Sequence, residues 1–428
     1  MRKTVMAIAC LAFQAVFLTG CSSDNTLLPE VSETKKIANE YSIPLSDAVK
    51  IADAFMCNID KGTRTERTIS KVEVKTSRAT RSGIGADTLL YLINYADNNG
   101  FALVAADKRL PAIYAISDEG HFEFADTLQN DGLAFFMKTV QGSINNSIEK
   151  TSSVIPGGSS NWPQDYYKQF KWYYDLYTPK LKNAMSIISQ GKPYNKYCIY
   201  NNDTIFAGCA PVAIATLMSF YKWPEEYHGY KIKWDEIVSG ENKDAMARVI
   251  RFLWNPDNLN VSIHTDSKGV VNASALAIRF APTLRNMGYE VLDGLKPFNA
   301  DEVLEVLRRG ADTPAVGTPV LARGTTLDEN GKEVGHAWVI DGAMWQHGHF
   351  GDLPPSITDP EPHYNPNIPM CLFHCVWGWG GSNNGFFNFD SNVLGGTPDY
   401  YGEYDNKDPK TTQVFYDLKY IGYIKRQQ

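Results

Sequence analysis

Past its first eighteen residues the chain has no run of about 18 apolar residues, which excludes a membrane-spanning helix of ordinary length there. It lacks a charge excess too. Forty-one Lys and Arg stand against 48 Asp and Glu, a net charge of −7 over 428 residues. That mild acidity argues against a nucleic-acid binder, which carries a basic face. With 43% apolar and 21% charged residues, the composition is not that of a disordered chain. No fixed-period repeat is present, so solenoids and propellers fall away. Cysteine is scarce, and its count of seven is odd. No Cys/His spacing matches a common zinc pattern. Aromatics, in contrast, reach 12%, which suits a packed, β-rich protein. The length predicts two or three domains at roughly 150 residues each.

Two cysteines belong to export. Arg2 and Lys3 precede an apolar stretch from Val5 to Leu18, which has the dimensions of a signal-peptide core. Leu18-Thr19-Gly20-Cys21 then resembles the lipobox of bacterial lipoproteins, whose cysteine carries a lipid after cleavage. The expectation is a signal peptide over 1–20, lipidation at Cys21, and a tether over 21–40. The product would be exported and anchored in the bacterial cell envelope, or released from it by processing. An ordinary signal peptide that happens to contain Cys21 is the alternative. Cys57, Cys198, Cys209, Cys371 and Cys375 remain, and five thiols cannot all pair. A free thiol in an exported protein points to nucleophilic catalysis.

Residues 41–150 read as a small α+β unit. Ala48 to Met56 is amphipathic, with Ser46 as the expected N-cap. Residues 58–87 are basic and polar and are expected to form a solvated loop. Leu89–Tyr95 and Phe101–Val104 read as strands joined by an Asn-Gly turn, with a third strand at Ile113–Ile116. Thr151–Ser160 is the clearest linker, and 151–163 is the expected activation region. Residues 164–428 form the larger domain. Helices are expected at Tyr166–Ile188, Ala210–Tyr221, Ala273–Met287 and Asp301–Arg309. Strands are expected at Ala315–Ala322, His336–Ile340, Met370–Trp377, Phe386–Phe389 and Gln413–Ile424. Helices first and antiparallel strands afterwards is an α+β pattern.

The sharpest site is Ala207-Gly208-Cys209-Ala210-Pro211. Pro211 fits only the first turn of a helix, so Cys209 sits at the helix start. There the unpaired N–H groups and the macrodipole favour a thiolate, and the Cys209 N–H is placed to hold an oxyanion. Gly208 lets a backbone or a substrate approach closely. His336, in Val334-Gly335-His336-Ala337-Trp338, lies at about the distance in sequence that separates Cys from His in papain-like enzymes. It follows a glycine at a strand start, so its ring is expected to face an open cleft. Val376-Trp377-Gly378-Trp379-Gly380-Gly381 adds an aromatic wall able to orient an imidazole.

Together these blocks resemble the streptopain family of papain-like cysteine peptidases. The matching residues are Gln190–Asn195, Gly208-Cys209, Tyr221-Lys222-Trp223-Pro224, Gly335–Ala343, Trp377–Gly381 and Gly385-Phe386-Phe387. Upstream, Gly100–Arg109 resembles the inhibitory propeptide of that family. The resemblance implies a papain-like two-subdomain catalytic domain, a helical half plus an antiparallel β half, behind an α+β propeptide. It implies a secreted zymogen that needs no cofactor and no metal, cuts protein or peptide substrates, prefers an apolar residue two positions before the cut, and is inhibited by its own propeptide. By position, Cys209 is the nucleophile, His336 the general base, Gln190 the oxyanion donor and Trp377 the orienting group. Gly335 and Trp379 are expected to touch substrate. Two departures stand out. Val376 occupies the position of an Asn in relatives, and residues 344–369 form an insert holding His347, His349 and His363 beside Cys371, His374 and Cys375. They keep two alternatives open: a retired peptidase fold acting as a surface binding protein, and a cell-wall amidase or acyltransferase using the same Cys–His pair.

Overall fold

The computed structural model describes residues 41–60, 67–76, 88–128, 130–153, 174–177, 181, 183–265, 269, 271–309, 317–327, 333–346, 371–389 and 417–427. The expected signal peptide, Cys21, the tether, the linker after Ser153 and residues 347–369 of the insert lie outside them.

The N-terminal unit begins with α1 (Leu45–Ile59). Its apolar residues Ala48, Val49, Ile51, Ala52, Phe55, Met56 and Ile59 recur at helical spacing and are buried. The helix starts earlier than expected. Pro44 occupies the N-cap and no side chain caps the helix, so Ser46 is a first-turn residue and not the cap. The basic stretch is not all loop. Ile69–Thr76 forms β1, an exposed edge strand that pairs with β2 (Thr88–Tyr95) and keeps its lysines in water. β3 (Phe101–Ala105) and β4 (Ile113–Ser117) complete a meander. At its turn Gly100 has φ +102, and a Cβ there would lie 1.9 Å from the Ser117 carbonyl oxygen, so only glycine fits. α2 (Asp131–Ser153) follows, capped by Asn130, whose Oδ1 accepts from Leu133 N at 3.0 Å.

In the larger domain, the helix expected over Tyr166–Ile188 is overturned within the described residues. Tyr174–Tyr177 is a strand, β5, because the long strand opposite offers it a free edge. The helical half contains α3 (Cys209–Tyr221), α4 (Trp234–Ser239) and α5 (Lys243–Leu253). α3 is buried along nearly its whole length, as an all-apolar helix must be. The helix expected over Ala273–Met287 is shorter: a 3-10 turn at Ala277–Arg279 leads into α6 (Phe280–Asn286), while Ala273 and Ser274 end a hairpin of β6 (Ser262–Thr265) with β7 (Val271–Ser274). Pro282 explains the late start, since it is tolerated only in a first turn. α7 (Ala300–Arg309) follows and buries Val303, Leu304, Val306 and Leu307 in the core shared with the β half, not in the one around α3.

The β half comprises β8 (Val320–Leu327), β9 (Glu333–Gln346), β10 (Cys371–Val376), β11 (Gly385–Phe387) and β12 (Asp417–Ile421). Their order is β11-β10-β9-β8-β12, all antiparallel, with β5 joining β9 at Ala343–Gln346. The fold is α+β, as expected. What the sequence does not announce is that β4 pairs with β11, placing Ala115 opposite Phe387 and Ile116 opposite Phe386. The two sheets are therefore one. A single apolar core runs through both units, with Phe101 and Phe136 on one side and Phe387, Phe389 and Trp377 on the other. A second core surrounds α3 in the helical half.

Candidate active site

Gly208 is the N-cap residue of α3, and Cys209 is its first residue. Gly208 takes φ +84, and a Cβ there would lie 2.8 Å from the Ala273 carbonyl oxygen. The close neighbour is thus the backbone of β7, which comes tight against the loop entering the helix. Cys209 is half-buried. His336 lies on β9, opposite Gly324 of β8, and is 1% exposed. The open cleft expected around it is absent here, because the first turn of α2 covers the ring. A Cβ on Gly132 would lie 2.6 Å from His336 Cδ2 and 2.4 Å from the Trp377 ring.

Cys209 and His336 act on each other. Burial pushes the Cys209 thiol up, but contact with the His336 ring and the N–H of Ala337 outweighs it and holds the thiol below its ordinary value. Burial pulls His336 down, but Cys209 and the charge of Asp131 outweigh it and hold the imidazole above its ordinary value. The two shifts together favour a thiolate–imidazolium pair. His336 Nε2–H donates to the Trp377 carbonyl oxygen at 2.9 Å. The ring also stacks near-parallel to Trp338, with centroids 6.2 Å apart. Val376 carries no orienting amide and packs into the helical-half core, so a main-chain carbonyl holds the second ring nitrogen.

Gln190 is 5% exposed, and its Nε2 has no hydrogen-bond partner among the described residues. Its main chain is fixed at both ends: its N–H donates to the Gly378 carbonyl at 3.1 Å, and its carbonyl accepts from Ala207 N at 2.9 Å. A buried side-chain amide left unsatisfied beside the nucleophile's loop is the arrangement an oxyanion donor needs. Trp379 pairs with Ser189 as an isolated bridge and meets Phe206 edge-on, with centroids 5.7 Å apart. Asn384 pins this glycine-rich loop. Its Oδ1 accepts from Trp377 N at 3.2 Å and its Nδ2 donates to the Ser186 carbonyl at 3.0 Å. Gly335 directly precedes His336 on β9 and is exposed. A Cβ there would lie 2.7 Å from Thr325 Cγ2, so strand packing accounts for that glycine.

Residues 34–144 match the family described as Spi protease inhibitor, and residues 188–309 and 285–387 match the Peptidase C10 family. The chain belongs to the streptopain-like C10 peptidases. It is a cysteine endopeptidase carrying an inhibitory propeptide. Over 72% of its length it is 23% identical to the thiol protease/hemagglutinin PrtT of Porphyromonas gingivalis, of which it spans 34%. Over 75% of its length it is 22% identical to streptopain of Streptococcus pyogenes, of which it spans 79%. Among solved structures it is similar to a fragment of Prevotella intermedia prointerpain A, at 15% identity and a TM-score of 0.47, covering 77% of this chain and 95% of that one.

Residues of the propeptide that sequence reading missed reach this C10 site. Asp131 and Gly132 lie at its wall, and Asn383 Nδ2 donates to the His121 carbonyl at 2.8 Å and to Asp126 Oδ2 at 3.0 Å. The signal for α2 was present in Asn130-Asp131-Gly132, a cap residue ahead of an apolar run. His374 is taken up by Asp341, whose Oδ1 lies 2.6 Å from His374 Nδ1 and whose Oδ2 accepts from Leu181 N at 2.7 Å. Among the described residues no group of three or more His, Cys, Asp or Glu is placed to hold a metal. Cys198, Cys209 and Cys375 are free thiols.

Proposed function

We propose that the chain is an exported, lipid-anchored zymogen whose peptidase acts through Cys209 and His336. The observation that carries this reading is Cys209 at the start of α3 against a His336 ring held by the Trp377 carbonyl at 2.9 Å, beside a buried Gln190 amide without a partner among the described residues. The Cys209 thiolate attacks the scissile carbonyl carbon, and the carbonyl π pair moves onto oxygen. Gln190 Nε2–H and the Cys209 N–H donate to that oxyanion. As the tetrahedral intermediate collapses, the C–N bond breaks and the His336 imidazolium gives its proton to the leaving nitrogen. Neutral His336 then takes a proton from water, whose oxygen attacks the thioester and expels the thiolate. The Trp377 carbonyl keeps the ring in the orientation both transfers need.

The Leu18–Cys21 motif supports the anchor, and the family resemblance supports an apolar preference two residues before the cut. Removal of the propeptide is assigned to a cut within 151–163. The reading as a retired fold rests on Val376 and on the 344–369 insert; for the first, the Trp377 carbonyl supplies the orienting acceptor that Val376 cannot. Cys209→Ala is expected to abolish both casein hydrolysis and labelling by a thiol-directed epoxide, in a protein whose active form begins between about residues 150 and 165 by N-terminal sequencing. Hydrolysis retained in that variant overturns the assignment. Turnover of peptidoglycan fragments in place of casein would move the same dyad to amidase chemistry.

A further inference from the structure

We propose that Asn384 is a positioning residue for catalysis, which ties the arm carrying Gln190 to the loop that orients His336. The inference rests on the peptidase reading above and assigns that site a further part. β10 ends at Val376 and β11 begins at Gly385, so Trp377–Asn384 is the loop between them. The segment leading to Gln190 is laid along this loop in antiparallel register. Gln190 N–H donates to the Gly378 carbonyl at 3.1 Å, Ser189 bridges to Trp379, and Gly380 N–H donates to the Ile188 carbonyl at 3.5 Å. Ile187 comes next, where a Cβ on Gly381 would lie 3.0 Å from its Cγ2. Two successive loop carbonyls therefore serve two parts of the site. That of Trp377 accepts from His336 Nε2 at 2.9 Å, and that of Gly378 accepts from Gln190.

A loop of this composition does not hold its own shape. Gly378, Gly380 and Gly381 take φ of +80, +74 and +87, and residues without a Cβ leave such conformations easily. The rung at Gly380 is also at the limit of hydrogen bonding. Asn384 supplies what the glycines lack. Its Oδ1 accepts from Trp377 N at 3.2 Å and closes the loop at its neck. Its Nδ2 donates to the Ser186 carbonyl at 3.0 Å, adding a rung beyond Ile187. One side chain thus sets the spacing between the acceptor that holds the base and the arm that carries the oxyanion donor. Such a donor accelerates the reaction only when aimed at the place where charge develops, so a shift of about 1 Å is costly.

The test uses the activated enzyme with two reagents, a peptide aminomethylcoumarin amide and iodoacetamide. Hydrolysis of the amide passes through an oxyanion. Alkylation does not: the Cys209 sulfur bonds to carbon and iodide leaves with the electron pair, so its rate reads the Cys209–His336 pair alone. Asn384→Ala is expected to lower kcat about tenfold with KM little changed, the size of effect a small misplacement gives. The alkylation rate and its pH profile are expected to stay at the wild-type values. In a Gln190→Ala background the same substitution is expected to cost less than about twofold, because the group it positions is gone. Asn384→Leu, close to Asn in shape and without its hydrogen bonds, is expected to behave alike and serves if the alanine variant does not fold. Equal losses of kcat in both backgrounds, or alkylation slowed as much as hydrolysis, would show a structural role and overturn the proposal, as would an unchanged kcat. A Gln190→Ala enzyme as fast as the wild type removes the oxyanion donor from the reading, and the proposal with it. A wild type that is alkylated but hydrolyses no peptide sinks the peptidase assignment beneath both.

Discussion

The chemistry at Cys209 depends on four residues whose natures could be read from the sequence and two contacts that could not. Gly208, Cys209 and Pro211 announce a nucleophile at a helix start because few residue types tolerate those positions. His336 was legible as the partner but not its burial, because the lid comes from a helix some 200 residues upstream. The Trp377 carbonyl was invisible as an orienting group, since main-chain acceptors carry no residue signature. The pair's titration gives a prediction. Activity requires thiolate, so it falls as pH drops through the lowered value of Cys209, below the ordinary thiol value of 9.0. It also requires imidazolium, so it falls as pH rises through the raised value of His336, above the ordinary 6.5. A bell-shaped kcat/KM profile for the activated enzyme is expected, its limbs belonging to the coupled pair. An acid limb above 9 contradicts it.

Among the elements, α2 matters most to control of the site. Its first turn is held by the Asn130 cap, whose Nδ2 donates to Asn383 Oδ1 at 3.4 Å, and Gly132 permits contact with both His336 and Trp377. A larger side chain there has nowhere to go, because the neighbours are two rings packed in the core. Gly132→Val is expected to lift the turn and speed alkylation of Cys209 in the uncleaved chain by about tenfold, equivalent to about 1.4 kcal/mol of lost contact. An unchanged alkylation rate, in a variant with the wild-type melting temperature, counts against α2 as the lid. Legibility was uneven at this scale. α1 and α7 declared themselves by apolar spacing and α3 by its helix formers behind Pro211, whereas β5 and the β6–β7 hairpin did not. Their pairing partners decide their conformation.

The molecule as a whole is joined at the β4–β11 seam. Phe387 packs on Phe136 and Trp377, each with centroids 4.9 Å away, and on Phe101 at 6.4 Å. One ring thus belongs to the propeptide core and to the wall of the active site. Phe387→Ala is expected to cost about 3–5 kcal/mol and to lower the melting temperature of the uncleaved chain by roughly five degrees. Calorimetry of the uncleaved chain should show propeptide and peptidase melting in one transition. Two transitions, with only one moved by the substitution, would mean that the units fold separately. Composition foretold the two units but not their union, because each half of the seam reads as an ordinary strand.

That seam also sets a timetable. The strand ending at Ser117 leaves the ribosome long before Phe386 and Phe387 exist to pair with it. Until then one edge of the propeptide sheet and the phenylalanines beneath it have no partner. Closure between such distant parts of a chain is slow. Delay in that last step postpones latency and nucleophile alignment together, since the β11 segment that completes the propeptide sheet also packs against the Trp377 wall.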